Sequence, residues 1–274
     1  MCKVLGVSRS GYYKWRKSPR SEREKRRKAL AKRIEYHFKD NDGLYGSPKI
    51  THLLRLEGWR VSEKTVGRLM KELGLRSRTV RKFRVQTTDS NHDLPVAPNL
   101  LEQKFHVDAP NRVWVTDITY IRTRGGRLYL ASVMDLYSRK IVGWALDQRM
   151  TVDLVSKALD AAYAAQKPGP GLIHHSDRGS QYASKDYQDK LKAYKMTCSM
   201  SRKGNCYDNA CIESYHAILK RELVYLTKFK NREEARQQIY RYLEFIYNRK
   251  RIHSYLGYLS PDRFEQLYYM KLAS

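Results

Sequence analysis

The sequence has no long apolar run, few cysteines and a shortage of acidic residues. None of its apolar stretches approaches the roughly 18 residues needed to span a membrane, and no signal peptide opens the chain, so a membrane protein is not expected. Four cysteines in 274 residues are too few for a disulfide framework, and Cys206 and Cys211 lack the second ligand pair of a zinc site. We therefore expect reduced thiols and a cytoplasmic location.

The shortage of acid leaves a large positive charge. Against 54 Lys and Arg the chain has only 28 Asp and Glu, which gives a net charge of +26. A compact chain with this excess repels itself, so a polyanionic partner is expected. Nucleic acid is the first candidate; an anionic membrane surface and a merely soluble basic protein are the alternatives.

Residues 1–40 are predicted to be a basic arm that contains part of a helix-turn-helix motif. Gly6 permits a tight turn, and Ser8 can cap the helix that follows. On this helix Val7 and Trp15, together with Tyr12, are expected to pack inward. An ordinary basic helical arm is the alternative, because short motifs are weak signals.

A fuller helix-turn-helix is predicted over residues 41–75. Pro48 suits the first turn of a helix, and Ser62 is a good cap for the second helix. The second helix of such a motif enters the major groove, which makes Lys64 and Arg68 candidate DNA contacts. A helical hairpin that serves only packing remains the alternative.

Residues 76–105 are predicted to be a basic linker. Its first part is rich in arginine, and the polar continuation with Pro95 and Pro98 has no periodicity. Such a segment can follow a DNA backbone or can be a tether without fixed contacts. The candidate DNA contacts in this segment are Arg76, Arg78, Arg81 and Lys82.

From Arg112 the pattern changes to that of an α/β domain. Three antiparallel strands, then helices alternating with two short strands, predict a mixed sheet with helices on its faces. We assign residues 106–226 to this core and residues 227–274 to a C-terminal helical extension. The predicted strands are Val113–Tyr120, Leu128–Leu136, Ile141–Leu146, Leu172–His175 and Thr197–Met200, and the predicted helices are Thr151–Gln166, Lys185–Tyr194, Asn209–Leu223 and Arg232–Tyr247.

Three acids of this core are candidates for one site. Asp117 falls within a strand, where aspartate is depleted and costly to bury, although Asp135 is a rival of the same kind. Asp177 follows a short strand, at the sheet end where α/β sites usually lie, and Glu213 lies on the next helix but one. Converging carboxylates repel unless cations bind, and oxygen ligands favour Mg²⁺ or Mn²⁺. Two such ions can support phosphoryl transfer.

The segments around these acids resemble the second-frame product (OrfB) of the two-frame bacterial insertion-sequence transposases. The catalytic core of that family is similar to retroviral integrases and has the ribonuclease-H-like fold, here preceded by an all-α helix-turn-helix region. The likeness covers nearly the whole chain. It is carried by Tyr45-Gly46, Trp114–Tyr120, His174–Tyr182, Ser199–Ala210 with Glu213, and Asn248–Pro261.

The resemblance implies that Asp117, Asp177 and Glu213 form the catalytic triad of a DDE polynucleotidyl transferase and hold two Mg²⁺ or Mn²⁺ ions. It also implies that Lys220, seven residues after Glu213, contacts DNA phosphate. Arg178 is a further candidate contact, with a surface salt bridge as the alternative.

Asp208 and Asn209 are predicted to cap the helix that carries Glu213. Asp208 and Asn209 precede this helix, and such residues commonly cap helices; a supporting role behind the site is the alternative.

The predicted function is that of a DNA transposase, which cleaves the 3′ end of its element and joins it to a second DNA in metal-dependent steps. The resemblance further implies a copy-out, paste-in route through a circular intermediate and a homo-oligomer on DNA. It also implies an upstream-frame segment as fusion or partner, in a bacterial, nucleoid-associated setting. A non-catalytic helix-turn-helix regulator and a simple metal-dependent nuclease are the alternatives.

Overall fold

The computed structural model describes residues 2–17, 21–79 and 95–273. The chain divides into two compact units, Met1–Arg78 and Thr79–Ser274. The predicted finer division into five segments stays a prediction. Two of the candidate DNA contacts, Arg81 and Lys82, lie outside the described residues.

The first unit is helical, with the two helices of the fuller motif where they were expected. Pro48 lies in the first turn of its first helix, and Ser62 Oγ accepts the Thr65 N–H at 3.2 Å at the start of its second. Ile34, Ile50, Leu54 and Val66 are completely buried between the helices. The helices of this unit are α1 (Arg9–Lys17), α2 (Glu22–Asp40), α3 (Ser47–Leu56) and α4 (Glu63–Glu72).

Helix α1 differs from the prediction on one point. It begins as expected, because Gly6 has a φ of +61° and Ser8 Oγ accepts the Gly11 N–H at 3.0 Å. None of its residues is buried, and Trp15 is 73% exposed. The prediction that Val7, Tyr12 and Trp15 pack inward is therefore wrong, because no described element covers the apolar side of this short helix.

The second unit is built on a five-stranded mixed sheet in the order β3-β2-β1-β4-β5. Strands β1, β2 and β3 are antiparallel, while β1–β4 and β4–β5 are parallel pairs. This confirms the predicted mixed sheet. The strands are β1 (Val113–Thr123), β2 (Gly126–Asp135), β3 (Ile141–Asp147), β4 (Ile173–Ser176) and β5 (Thr197–Met200).

Helices cover both faces of this sheet. Helix α6 was not predicted, and α10 lies within the predicted C-terminal helical extension, although its bounds were not predicted. The helices are α5 (Val152–Gln166), α6 (Ser180–Ala183), α7 (Lys185–Ala193), α8 (Ala210–Leu219), α9 (Arg232–Arg241) and α10 (Pro261–Leu272), and π-helical turns over Lys220–Val224 and Tyr242–Tyr247 continue α8 and α9. No helix in the described ranges is both long and apolar enough to cross a membrane.

Alternation along β1 decides which helices lie beside which side chains. Val115 and Ile121 belong to a core cluster shared with α8 and α9, whereas Trp114 and Ile118 belong to the cluster on the α5 and α7 side. Successive side chains of a strand point to opposite faces. Asp117 therefore lies on the α8 side of the sheet.

Candidate active site

The register of β1 and β4 brings Asp117 and Asp177 to the same end of the sheet. Val115 pairs with His175 in these parallel strands, and each aspartate lies two residues beyond that pair. Neighbouring strands are ~4.8 Å apart, so both carboxylates leave the sheet side by side. Burial raises the pKa of Tyr182 well above its usual value, and the nearby charges of Asp117 and Asp177 raise it further.

Both aspartates are held by backbone amides. Asp117 is 19% exposed; its Oδ1 accepts the Ile118 N–H at 2.8 Å, and its Oδ2 lies 3.3 Å from His216 Nδ1. Asp177 Oδ1 accepts the Gly179 N–H at 2.9 Å. These contacts orient the two carboxylates before any ligand is bound.

Helix α8 brings the third acid to the same region. Glu213 is exposed in the first turn of α8, and His216, which contacts Asp117, lies one turn later on the same side of the helix. Asn209 Nδ2 donates to the Thr116 carbonyl oxygen at 3.0 Å, which ties the start of α8 to the strand residue before Asp117.

The three carboxylates are not gathered into a closed metal site. Within residues 2–17, 21–79 and 95–273, no group of three or more His, Cys, Asp or Glu side chains is placed to hold a metal ion. The structure thus brings Asp117 and Asp177 together and puts Glu213 on the adjoining helix. The donor chemistry, three carboxylates without a thiol, fits a hard divalent cation.

Lys220 lies at the point where α8 becomes a π-helical turn. It is half-buried, and its Nζ is 5.2 Å from the centre of the Tyr120 ring. Burial lowers the pKa of Lys220, and the charge of Asp117 opposes that shift. Lys220, the predicted phosphate contact, therefore lies near Asp117. It begins a π-helical turn, and such turns occur frequently at functional sites.

The other predicted DNA contacts stay predictions. Arg178 is half-buried, and its Nε donates to the Ser201 carbonyl oxygen at 2.7 Å, which links the loops after β4 and β5. In the helical unit the remaining candidates share an exposed position on or after α4. These candidates are Lys64, Arg68, Arg76 and Arg78.

Asp208 and Asn209 do not cap α8 with their side chains. Asp208 is completely buried and accepts hydrogen bonds from Arg202 Nε at 3.0 Å and Nη2 at 2.8 Å, and from Gln103 Nε2 at 2.8 Å. The hydrogen bonds from Arg202 hold the pKa of Asp208 well below its usual range. The capping prediction is wrong because Asp208 secures the loop before α8, while the Asn209 amide bonds the Thr116 carbonyl.

Asp135, the rival to Asp117, is a structural residue. It is completely buried and accepts the Ser138 N–H at 2.9 Å, the Ser138 hydroxyl at 2.9 Å and the Asn111 N–H at 2.8 Å. Burial raises its pKa. Asp135 therefore closes the turn that follows β2.

His216 is the site residue that sequence reasoning missed. A histidine three residues after Glu213 was the available signal, because residues at this spacing share one side of a helix. The signal was insufficient, since nothing in the sequence shows which residue that side of α8 meets.

Comparisons with known proteins place the chain in a family. Models described as integrase core domains match residues 107–206 and 194–261, and a model described as an HTH-like domain matches residues 25–83. The transposase InsF of insertion sequence IS3A from Escherichia coli K12 is 44% identical over 267 residues, which are 97% of this chain and 92% of InsF. The chain belongs to the IS3-type transposase family.

Two further comparisons differ in how similar they are to this transposase. A 31 kDa protein of insertion element IS600 from Shigella sonnei is 47% identical over 273 residues, which are 100% of both chains. A chain in the structure of a simian T-cell lymphotropic virus intasome is similar to this chain with a TM-score of 0.49 and 14% sequence identity. The alignment covers 86% of this chain and 74% of the intasome chain. The latter likeness is too weak to carry residue roles across.

The family membership confirms several predictions. The protein is an insertion-sequence transposase of the DDE polynucleotidyl transferase type, and it binds DNA. The integrase-core match over the five-stranded mixed sheet confirms the ribonuclease-H-like fold. Catalytic cores of the integrase type use divalent metal ions.

Proposed function

We propose that Asp117, Asp177 and Glu213 are the catalytic carboxylates of this transposase and hold two Mg²⁺ or Mn²⁺ ions. The register of β1 and β4, which sets the two aspartates side by side, is the observation that carries this proposal. Ions bound there would activate an attacking oxygen and stabilise the leaving oxygen in phosphoryl transfer.

The chain's own residues prepare the site for that chemistry. Amides of Ile118 and Gly179 orient the aspartates, and the Asn209 side chain holds the start of α8 against β1. Glu213 lies in the first turn of α8, so this tie keeps the turn that carries Glu213 beside the strand that carries Asp117.

The proposed reaction cleaves the 3′ end of the element and then joins that end to a second DNA. A copy-out, paste-in route through a circular intermediate, a homo-oligomer on DNA and an upstream-frame segment belong to the same proposal. Lys220 and Arg178 would contact DNA near the site, with Lys64 and Arg68 on α4 as contacts in the helical unit. The linker contacts would be Arg76, Arg78, Arg81 and Lys82.

Single substitutions of the carboxylates test the proposal. Asp117→Asn, Asp177→Asn and Glu213→Gln should each lower Mg²⁺-dependent cleavage and joining of labelled element ends by about 10³-fold or more, because a missing ligand removes charge stabilisation. Binding of the same DNA should be retained. Asp186→Asn, which removes an exposed charge from the first turn of α7, is the matched control.

The outcomes separate this proposal from its alternatives. Unchanged joining by Asp117→Asn would refute the assignment of the triad. A protein that hydrolyses DNA but never joins a pre-cut end would be a simple nuclease. Running each assay with and without the upstream-frame segment tests whether that segment is needed.

A further inference from the structure

Three cations surround one tyrosine ring beyond the carboxylates. The centre of the Tyr120 ring lies 5.9 Å from Arg122 Cζ, 5.6 Å from Arg127 Cζ and 5.2 Å from Lys220 Nζ. These cations come from β1, from β2 and from the turn that continues α8. We call Tyr120, Arg122, Arg127 and Lys220 the cation–tyrosine cluster.

The register of the hairpin explains why the two arginines meet the ring. Arg122 lies two residues after Tyr120 and shares its face of β1, and Arg127 is the cross-strand partner of Arg122. Strand β4 pairs with β1 only as far as Val115, so this end of β1 has no neighbour on that side among the described strands. Arg122 and Arg127 are themselves exposed, so a ligand can approach the cluster from solvent.

The arginines of the hairpin have no acidic partner. Arg122, Arg124 and Arg127 are exposed, and within the part of the chain that the structure describes none of them forms an ion pair with a carboxylate. Like charges held beside one ring repel each other, and the attraction of each cation to the face of the ring is weak at an exposed site. An anionic ligand would relieve the remaining repulsion.

We propose that the cation–tyrosine cluster binds the sugar-phosphate backbone of the DNA strand next to the bond that is cleaved. This inference rests on the proposed function, because Asp117 marks the reacting phosphate. The Cα atom of Tyr120 is three residues along β1 from that of Asp117, about 10 Å, which corresponds to about three nucleotides at 3.4 Å each. Although alternation points the two side chains to opposite faces of β1, Lys220 from the turn that continues α8 contacts the Tyr120 ring and so links the cluster to the α8 side. The ring holds the guanidinium groups in place, and the cations contact the phosphates.

Removal of the two arginines tests the cluster. Arg122→Ala combined with Arg127→Ala should weaken binding of an element-end duplex by about 10- to 100-fold near 100 mM salt, and the slope of log affinity against log salt should fall by about 2. The matched control is Arg241→Ala with Arg263→Ala, which removes the same charge from exposed positions on α9 and α10. The control should lose no more than about threefold, through the general field of the protein.

Neutral phosphates locate the contact on the DNA. Methylphosphonate linkages are placed singly at the five phosphates on each side of the cleaved bond. In the protein that retains both arginines, one or more positions about three nucleotides from that bond should weaken binding. In the double arginine variant, the same linkages should have no further effect. Equal losses in the control variant, or no linkage with this coupling, would overturn the proposal.

The role of the ring is tested separately. Tyr120→Phe keeps an aromatic face and should bind DNA like the wild type, whereas Tyr120→Leu should weaken binding by several-fold. Unfolding midpoints of all variants show whether folding is intact. Equal binding by Tyr120→Leu and Tyr120→Phe would refute the role of the ring.

All binding is measured without divalent cations and in the Asp117→Asn background. The result therefore does not depend on catalysis. If Asp117→Asn still cleaves DNA in a separate assay, the proposed function fails, whereas the binding comparison still decides whether the cluster holds DNA.

Discussion

The His216 side chain joins α8 to Asp117 of β1. Its Nδ1 lies 3.3 Å from Asp117 Oδ2, and its buried Nε2 has no hydrogen-bond partner among the described residues. With its proton on Nδ1, the imidazole donates to the carboxylate and leaves the other oxygen to the Ile118 amide. Groups that hydrogen-bond a ligating carboxylate set its orientation.

His216→Phe should therefore lower Mg²⁺-dependent cleavage by about 10- to 100-fold and raise the Mg²⁺ concentration that gives half-maximal cleavage. Phenylalanine fills the buried space but cannot donate to Asp117. His216→Gln retains a donor and should recover part of the loss. Titrations of cleavage against Mg²⁺ measure both effects. An unchanged half-maximal concentration for His216→Phe would exclude this role.

A second buried histidine makes stability depend on pH. His174 is almost completely buried, with Nε2 3.0 Å from the Tyr187 hydroxyl, and burial together with the neighbouring His175 lowers the pKa of His174 from 6.5 to about 3. Between those values the unfolded chain binds more protons than the folded chain. The stabilising effect of neutral His174 is thus present above pH 6.5 and is lost as the pH falls towards 3.

The free energy of unfolding should fall by about 2 kcal/mol from this group between pH 6.5 and pH 5, at about 1.4 kcal/mol per pH unit. Urea unfolding at both pH values measures the change. His174→Gln should reduce the slope, whereas His106→Gln, at an exposed position, should not. Identical slopes for the wild type and His174→Gln would contradict the assignment.

At the scale of elements, a buried ion pair holds the turn that continues α8. Arg251 Nε and Nη2 donate to the carboxylate of Glu222 at 2.9–3.1 Å, and the Tyr242 hydroxyl donates to Glu222 Oε2 at 2.8 Å. Glu222 lies two residues after Lys220, within the π-helical turn. The C-terminal segment thereby supports the helix that carries Glu213 and Lys220.

Arg251→Ala should lower the free energy of unfolding by about 3–5 kcal/mol, because it leaves a buried carboxylate without its partner. Arg249→Ala is the matched control in the same segment. Arg249 is 62% exposed and lies 3.8 Å from Asp262, so its loss should cost less than about 1 kcal/mol. Denaturant unfolding of both variants measures the difference. Equal costs would show that the buried pair is not holding the turn.

The elements themselves were largely predictable from periodicity. The alternating pattern of β1 and the apolar stripe of α5 are local features, and both were predicted within a few residues. The bounds of α10, within the predicted helical extension, were not predicted, although Ser260 accepts the Arg263 N–H at 3.4 Å and Pro261 opens the helix. A capping serine followed by proline is a local start signal, so the beginning of this helix is predictable from the sequence.

At the scale of the whole molecule, the net charge of +26 makes DNA binding depend on salt. Each cation that neutralises a phosphate releases a counterion, so affinity for duplex DNA without the element's ends should fall by about 10³-fold or more between 50 and 200 mM salt. Anisotropy titrations at several salt concentrations measure the slope, and unfolding midpoints at the same concentrations control for stability. A change below tenfold would contradict a charge-driven interaction.

The sequence by itself determined the order of strands and helices, the basic character and the identity of the candidate carboxylates. The order of the elements and the charge depend on local side-chain periodicity and on composition, whereas the choice of the three carboxylates also rested on the resemblance to a known family. Only the tertiary structure decided that His216 meets Asp117, that Asp208 binds Arg202 and that three cations share the Tyr120 ring. Such contacts depend on strand register and on how α8 packs across the sheet, which no short segment of the chain encodes.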